Sequence, residues 1–412
     1  MNEEQILIRI SGEDRVGLTA SIMAILARYD AQILDLGQAV IHNTLSMGIL
    51  IRIDEVHSGQ VMKELLFKTT ELGNLSIGFA PVSDEDYEAW AGRQGRNRYI
   101  LTIIGRSLSA AQIQAATDVI SRYGLNIDAI KRLTGRMSVM HPEKNVRACV
   151  EFSLRGSLSS DDKKAMQEDL MAMGTEAGMD FSFQKDDMYR RMRRLICFDM
   201  DSTLIQTECI DELAERNGVG AEVRAITESA MRGEIDFRES FTRRVALLKG
   251  LDVSVMQDIA EHLPITEGAD RLMSVLKTYG YKIAILSGGF TFFGEYLRQR
   301  FGVDYVYANE LEIGEDGKLT GRYLGEIVDG RRKADLLKLI AQTEKVNLAQ
   351  TIAVGDGAND LPMLSEAGLG IAFHAKPRVV KSARQSINTI GLDGVLYFLG
   401  FKDSNLGEQG KM

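Results

Sequence analysis

Residues 197–203 read Cys-Phe-Asp-Met-Asp-Ser-Thr (CFDMDST), with Leu195 and Ile196 before them and Leu204 and Ile205 after. The apolar run has the composition of a buried β-strand, yet it ends in two carboxylates one residue apart, followed by two hydroxyls. An isolated ionised carboxylate is expensive to bury without a cation or a metal. Taken alone, the segment reads equally as a strand running into an Asx or Ser/Thr turn. The other reading is that Asp199 and Asp201 end the strand because something positively charged binds there.

At 412 residues the chain exceeds one ordinary core, so about two to four domains are expected. Its 45% hydrophobic and 26% charged residues are those of a soluble globular protein. A formal net charge of -9 argues against a nucleic-acid-binding surface. The local run Arg190, Arg191, Arg193 and Arg194 reads as a solvated inter-domain segment. Cys149, Cys197 and Cys209 are sparse, odd in number and without CxxC spacing, which suggests free thiols in a reducing compartment and no zinc site. The opening MNEEQILIRI is acidic and passes straight into strand-like alternation, so no signal peptide is expected. No apolar stretch approaches the roughly 18 residues that span a bilayer. No membrane association and a cytoplasmic location are the expectation.

Upstream of the quoted stretch, one pattern occurs twice. Ile6, Ile8 and Ile10 alternate with Leu7 and Arg9 as on a strand, and Ile22, Ile25 and Leu26 follow helical steps between Leu18 and Tyr29. Strand-like AQILDLGQAVI and MGILIRI, helical VMKELLFKTTELG and a strand near LSIGFAP complete the order β-α-β-β-α-β, the ferredoxin-like unit. After the polar connector SDEDYEAWAGRQGRN the same order recurs, from RYILTIIG to MDFSFQ.

From Arg193 onward the rhythm changes. LICFD, KIAILSG, DYVYAN, TIAVGDG and LGIAF are apolar strands separated by longer helical stretches, the pattern of a doubly wound parallel sheet. The helical stretch from Ile205 to Pro264 is too long for a simple crossover and reads as an inserted cap. Asp316–Gly317 predicts a β-hairpin, and the polar tail KDSNLGEQGKM a frayed end. The expected chain is therefore α/β, with ferredoxin-like domains at 1–84 and 98–186 and a doubly wound domain at 193–400 whose cap spans about 206–264.

In open parallel α/β sheets, ligands bind beyond the carboxyl ends of the strands. Asp199 and Asp201 end the first predicted strand, Ser287, Gly288 and Gly289 the second, and Asp356, Gly357, Asn359 and Asp360 the one in TIAVGDGAND. Lys333 lies in DGRRKADLL, ahead of a helical stretch. Carboxylates at two strand ends form a hard-oxygen site suited to Mg²⁺. Glycines after Ser287 let backbone N–H groups approach an anion, and a lysine adds a compact charge for a phosphate oxygen. One carboxylate can attack phosphorus while its neighbour handles protons. The parts fit a phosphatase working through a phospho-aspartate.

These motifs carry a resemblance. Through DMDST (199–203), ILSGG (285–289), Lys333 and GDGAND (355–360), residues 195–400 resemble the haloacid-dehalogenase-like phosphohydrolases. DMDSTLIQTECIDELA, AMRGEIDFRESFTRRVALLKG and LSGGF are similar, within that superfamily, to the phosphoserine phosphatases. The resemblance implies O-phospho-L-serine as substrate, Asp199 as nucleophile and Asp201 as general acid/base. It implies Mg²⁺ on the Asp199 carboxylate, the Asp201 carbonyl and Asp356, with Asp360 in support. Ser287, Gly288 and Lys333 would bind phosphate, with Asn359 nearby. Glu208 and Arg244 would hold the serine ammonium and carboxylate, and Met231 and Phe237 would form an apolar lid surface. A zwitterionic amino acid does need one anion and one cation, and arginine suits bidentate carboxylate recognition.

The two N-terminal units resemble ACT domains. The first carries Gly12-Glu13-Asp14-Arg15-Val16-Gly17-Leu18, close to that family's loop, so Asp14 and Gly17 are candidates for binding an L-serine effector. The second has Gly105-Arg106-Ser107-Leu108 at that place and is expected to serve in packing a homodimer. Two other readings stay open: a phosphatase or phosphotransferase for another small phosphomonoester, and an amino-acid-sensing regulatory protein. Glu208 with Arg244 separates the first from phosphoserine hydrolysis. The intact set of Asp199, Asp201, Lys333 and Asp356 argues against the second.

Overall fold

The alternation at Ile6, Ile8 and Ile10 becomes the buried face of a strand. In the computed structural model, which describes residues 3–92, 97–136, 140 and 146–406, the chain falls into two units, Met1–Arg96 and Asn97–Met412. In the first, β1 (Glu3–Glu13), β2 (Gln32–Ile41), β3 (Thr44–Asp54) and β4 (Leu75–Val82) form an antiparallel sheet in the order β2-β3-β1-β4. Ile6, Ile8 and Ile10 pack with Leu45, Met47 and Ile49 against Ile22, Leu26 and Leu65 of the two helices. The predicted polar connector is partly helical: Asp84–Ala91 is a helix capped by Ser83, and three acidic residues in its first turn favour that end. Residues 93–96 of that connector lie outside the described residues.

In the second unit, β5 (Arg98–Gly105), β6 (Asn126–Arg132), β7 (Ala148–Arg155) and β8 (Asp180–Lys185) repeat the arrangement in the order β8-β5-β7-β6. Downstream come β9 (Leu195–Phe198), β10 (Lys282–Phe290), β11 (Tyr305–Ile313), β12 (Leu319–Leu324), β13 (Thr351–Gly355), β14 (Leu369–Phe373) and β15 (Gln385–Ile387). Their order is β12-β11-β10-β9-β13-β14-β15, parallel except for the β11–β12 hairpin. β9 is central and fully buried, as its apolar composition requires. The chain runs one way from β9 to β10 and the other way to β13, so their carboxyl ends flank a topological switch point.

Three features were not predicted. β15 pairs antiparallel with β8, so one sheet of 11 strands runs through both halves of this unit. The Asp180 carboxylate reinforces the junction by accepting from Asn388 N, Thr389 N and Thr389 Oγ1. In the second ferredoxin-like unit, the loop carrying Arg106 is committed inward: both guanidinium Nη atoms donate to Glu267 at 2.8 and 2.6 Å, and Nε donates to the Thr389 carbonyl.

Two charged stretches differ from expectation. Arg190 and Arg193 are buried rather than solvated, and Arg190 pairs with Glu151 at 2.7 Å. The described part of the tail is anchored, because Asp403 accepts from Arg271, Tyr397 and the Gly135 amide. Residues 407–412 of the tail lie outside the described residues. All three cysteines are free and buried, and among the described residues no helix is long and apolar enough to cross a membrane.

The inserted segment is helical, with helices at Cys209–Arg216, Gly220–Met231, Phe237–Leu247 and Ser254–Glu261. The chain enters and leaves it at one point. There Ile205 bridges Ile265, Gln206 N donates to the Pro264 carbonyl, and Thr266 N donates to the Leu204 carbonyl.

Candidate active site

The carboxyl ends of β9, β10 and β13 open into a cavity of about 790 Å³. Its floor is the stretch that opened the sequence. Asp199 N donates to the Val354 carbonyl at 2.9 Å, which extends the β9–β13 pairing by one residue and aims the side chain past the sheet. Met200 N donates to Asp199 Oδ1 at 2.7 Å. Ser202 takes a left-handed conformation (φ 56°), and its hydroxyl donates to Glu208 at 2.7 Å.

Lys333 sits in the first turn of the helix Gly330–Thr343 and is fully buried, rather than on a solvated face. Its Nζ lies 2.9 Å from Asp199 Oδ2 and 2.7 Å from Asp360 Oδ1. Burial works against its charge, but the two carboxylates outweigh it and hold the ammonium above its ordinary range. Asp360 also accepts from the Gly357 amide at 2.9 Å, and Asp356 from the Thr203 hydroxyl at 3.2 Å.

On the β10 side, Ser287 is buried and its Oγ accepts from Gly289 N at 3.0 Å. A Cβ at Gly289 would lie 2.4 Å from Asp201 Oδ2, so only glycine lets this loop run beside the carboxylate. Asn309, at the end of the β10-facing part of β11, fixes the loop by donating to the carbonyls of Gly288 and Gly289 while accepting from Val328 N.

The cap supplies the opposite wall. Phe237 stacks on Phe241 and reaches Gly288, where a Cβ would stand 3.2 Å from its ring. Phe237 is thus both lid and core. Met231 lines the cavity and is 62% exposed. Glu208 is reached by solvent through the cavity yet enclosed by protein, and this enclosure raises its carboxyl above the usual range. Arg244 also lines the cavity; burial works against its charge, while the carboxylates of Asp211 and then Glu208 favour it, without an ion pair to either among the described residues. Asn359 completes the rim.

The site has a surplus of negative charge. Burial, with Glu208 and Asp199 adding to it, pushes the Asp201 carboxyl well above the usual range. Burial and the neighbouring carboxylates push Asp356 up to about 8, and burial with Asp199 pushes Asp360 to about 7. Oxygens of Asp199, Asp356 and Asp360 lie within 4.8 Å of one another. Crowded carboxylate oxygens are the donor set of a hard divalent cation, so these residues fit a metal. Asp201 is not part of this carboxylate cluster among the described residues.

Sequence reasoning missed four contributors. Thr203 was quoted in the opening stretch without a role, Asn309 ends a strand with an amide, and Asp211 lines the cavity one helical turn after Glu208. Lys376 reaches the cavity from the loop after β14, and only the fold reveals it. Asp14 and Gly17 lie in the other unit. Asp14 is exposed, Gly17 is left-handed (φ 87°) at the start of the helix Leu18–Ala27, and Arg15 between them is bound to the Leu72 and Gly73 carbonyls.

Known proteins resemble this chain in both of its parts. Residues 196–365 match the haloacid dehalogenase-like hydrolase model, and residues 4–78 match the ACT domain model. The chain is 37% identical over 395 residues to a phosphoserine phosphatase of Streptomyces coelicolor, covering 96% of this chain and 92% of that protein. It is 36% identical to one of Mycobacterium tuberculosis, covering 96% and 93%. A crystal structure of a probable phosphoserine phosphatase from Vibrio cholerae superposes with a TM-score of 0.56 at 34% identity, over 78% of this chain and 90% of that one. With a haloacid dehalogenase-like sheet, an ACT domain ahead of it and relatives matched over nearly their full length, the chain is a phosphatase and belongs to the phosphoserine phosphatase family.

Proposed function

We propose that the enzyme hydrolyses O-phospho-L-serine to L-serine and phosphate, with Mg²⁺, as the last step of serine biosynthesis. The observation that carries this reading is the presence of two sets of charged groups at one cavity. Lys333 lies between Asp199 and Asp360 beneath its base, and Glu208 and Arg244 both line its wall. The base suits a phosphoryl group, and the wall suits an ammonium and a carboxylate.

In this mechanism Lys333, Ser287 and Gly288 bind the phosphate oxygens, with Asn359 nearby. Arg244 takes the serine carboxylate and Glu208 the ammonium, while Phe237 and Met231 exclude water. An Asp199 oxygen forms a bond to phosphorus as the bond to the serine oxygen breaks. Asp201, kept protonated by its burial, gives its proton to that oxygen. Asp201 then takes a proton from water, the water oxygen attacks phosphorus, and the Asp199–phosphorus bond breaks to release phosphate. Mg²⁺ bound by Asp199, Asp356 and the Asp201 carbonyl, with Asp360 in support, would neutralise charge on the transferring group.

Phosphate release from a panel of phosphomonoesters tests the substrate. O-phospho-L-serine should be strongly preferred, and Glu208→Gln should raise its KM about 10- to 100-fold, the loss expected for a charged hydrogen bond. The same change should leave phosphoglycolate, which has no ammonium, nearly unaffected. Equal turnover of several esters, indifferent to Glu208→Gln, would overturn the assignment.

The metal is tested by stability. Asp356 and Asp360 have folded pKa values raised above those of the unfolded chain, so their contribution is fully present below about pH 4 and lost as the pH rises through 7 and 8. With chelator the Tm should fall across that window. Millimolar Mg²⁺ should raise the Tm more at about pH 8 than at about pH 6, since protons compete for the same oxygens. A metal effect independent of pH would remove these carboxylates as ligands.

Further parts of the reading are proposals too: L-serine binding at Asp14 and Gly17, a homodimer, a cytoplasmic location, and modules at 1–84, 98–186 and 193–400. Gly17's left-handed turn supports the first, because it opens a helix N-terminus to a carboxylate.

A further inference from the structure

Among the contacts between the cap and the rest of its unit, which include apolar packing in a shared core and Lys376 against Met231 at the rim, three stand out. The first is the hinge at Ile205 and Ile265. The second is a backbone staple to the β11–β12 hairpin. Gly250 N donates to the Leu319 carbonyl, Leu319 N to that of Leu251, and Val253 N to that of Gly317, with Phe241 edge-on to Tyr323. The third is one ion pair at the cavity mouth. Arg238 donates to Asp329 Oδ2 through Nε at 2.9 Å, with Nη2 at 2.8 Å. Among the described residues, it is the only ion pair joining the cap helices to the sheet-bearing part of the unit.

Both partners are well placed. Arg238 follows Phe237, whose ring covers Gly288 in the phosphate loop. Asp329 is the N-cap of the helix carrying Lys333: its Oδ1 accepts from Arg332 N, and its carbonyl accepts from Lys333 N. The pair therefore joins the closing edge of the cap to the helix end that presents the buried lysine. The staple is made of backbone hydrogen bonds and aromatic contacts. The Arg238 side chain is 61% exposed, so its pair with Asp329 is a contact that water and salt can open.

We propose that Arg238 and Asp329 form a latch: a positioning pair that holds the cap closed over the bound phosphoryl group and sets the rate at which substrate and product exchange. This rests on the phosphatase assignment but not on the identity of the ester. The Arg238 side chain points to Asp329 and not into the cavity, so the chemical step does not need it.

Arg238→Gln, Arg238→Lys and Asp329→Asn test the proposal with the best-hydrolysed phosphomonoester. Asparagine keeps the helix cap and drops only the charge. Arg238→Gln should raise KM about two- to fivefold, the scale of one exposed ion pair, with kcat unchanged or higher. Arg238→Lys should restore much of the loss. The rise of KM with ionic strength should be shallower in Arg238→Gln than in wild type.

Asp329→Asn separates a latch from simple attraction of an anionic substrate by Arg238. A latch predicts a raised KM, and the double variant should be no worse than either single one. Attraction predicts a lowered KM, because the guanidinium is freed. A lowered KM in Asp329→Asn, an unchanged KM and salt slope in Arg238→Gln, or a fall in kcat with unchanged KM would each overturn the latch. Failure of the phosphatase assignment would instead show as no phosphate release from wild type.

Discussion

Asp199→Asn is expected to abolish steady-state phosphate release, a loss of roughly 10⁴-fold or more, as for other enzymes stripped of a covalent nucleophile. The amide oxygen can still accept from Met200 N, so local geometry survives, but an amide does not attack phosphorus. Stability supplies the control. Asp199 raises the pKa values of Asp201, Asp356 and Asp360, so its charge works against theirs in the metal-free protein. Against this, the buried Lys333 ammonium loses one of its two carboxylate partners, so with chelator present the two effects oppose and the Tm should stay close to that of wild type. Mass spectrometry of quenched reactions should find a phosphorylated Asp199 peptide in wild type and none in the variant. Retained activity, or phosphate on another residue, would sink the nucleophile assignment.

Lys333→Met should lower kcat/KM by about 10²- to 10³-fold, the range for losing one preorganised charge on a transferring group. It should also destabilise the fold, because the side chain is fully buried between Asp199 and Asp360. Breaking a buried pair from one side costs about 3–5 kcal/mol when the remaining charge stays ionised. Asp360 already sits at about 7 with the lysine present, and without it the carboxyl escapes part of that cost by binding a proton. The loss of Tm should therefore be larger at about pH 8 than at about pH 6. Equal losses at both would mean that Asp360 is not the partner that suffers.

Much of this site was legible in the sequence because its parts lie at strand ends, and strand ends are marked by where apolar runs stop. Asp199, Ser287 and Asp356 each follow such a run, and the sheet order brings them together without long-range guesswork. Lys333 was harder. In an Arg-Arg-Lys run, helical position decides which side chain is buried, and the run itself does not show it: Arg331 and Arg332 are exposed. Arg190 and Arg193 misled in the same way, since a cluster of arginines reads as solvated until Glu151 appears beside one of them. Lys376 and the β8–β15 pairing depend on contacts between distant segments, and no periodicity announces them.

The continuous sheet has a consequence for the exposed strand edges of this unit. β15 has three residues and would end the parallel sheet with its outer N–H and C=O groups unpaired, a template on which another chain could add a strand. β8 occupies that edge, and Asp180 binds the two amides just beyond it. The second ferredoxin-like unit is thus an edge guard as well as a module. A fragment begun at residue 193 would lose the guard and Arg147, one of the two arginines on the fully buried Asp393. Such a fragment is a candidate for strand-by-strand self-association, whatever the integrity of its catalytic residues.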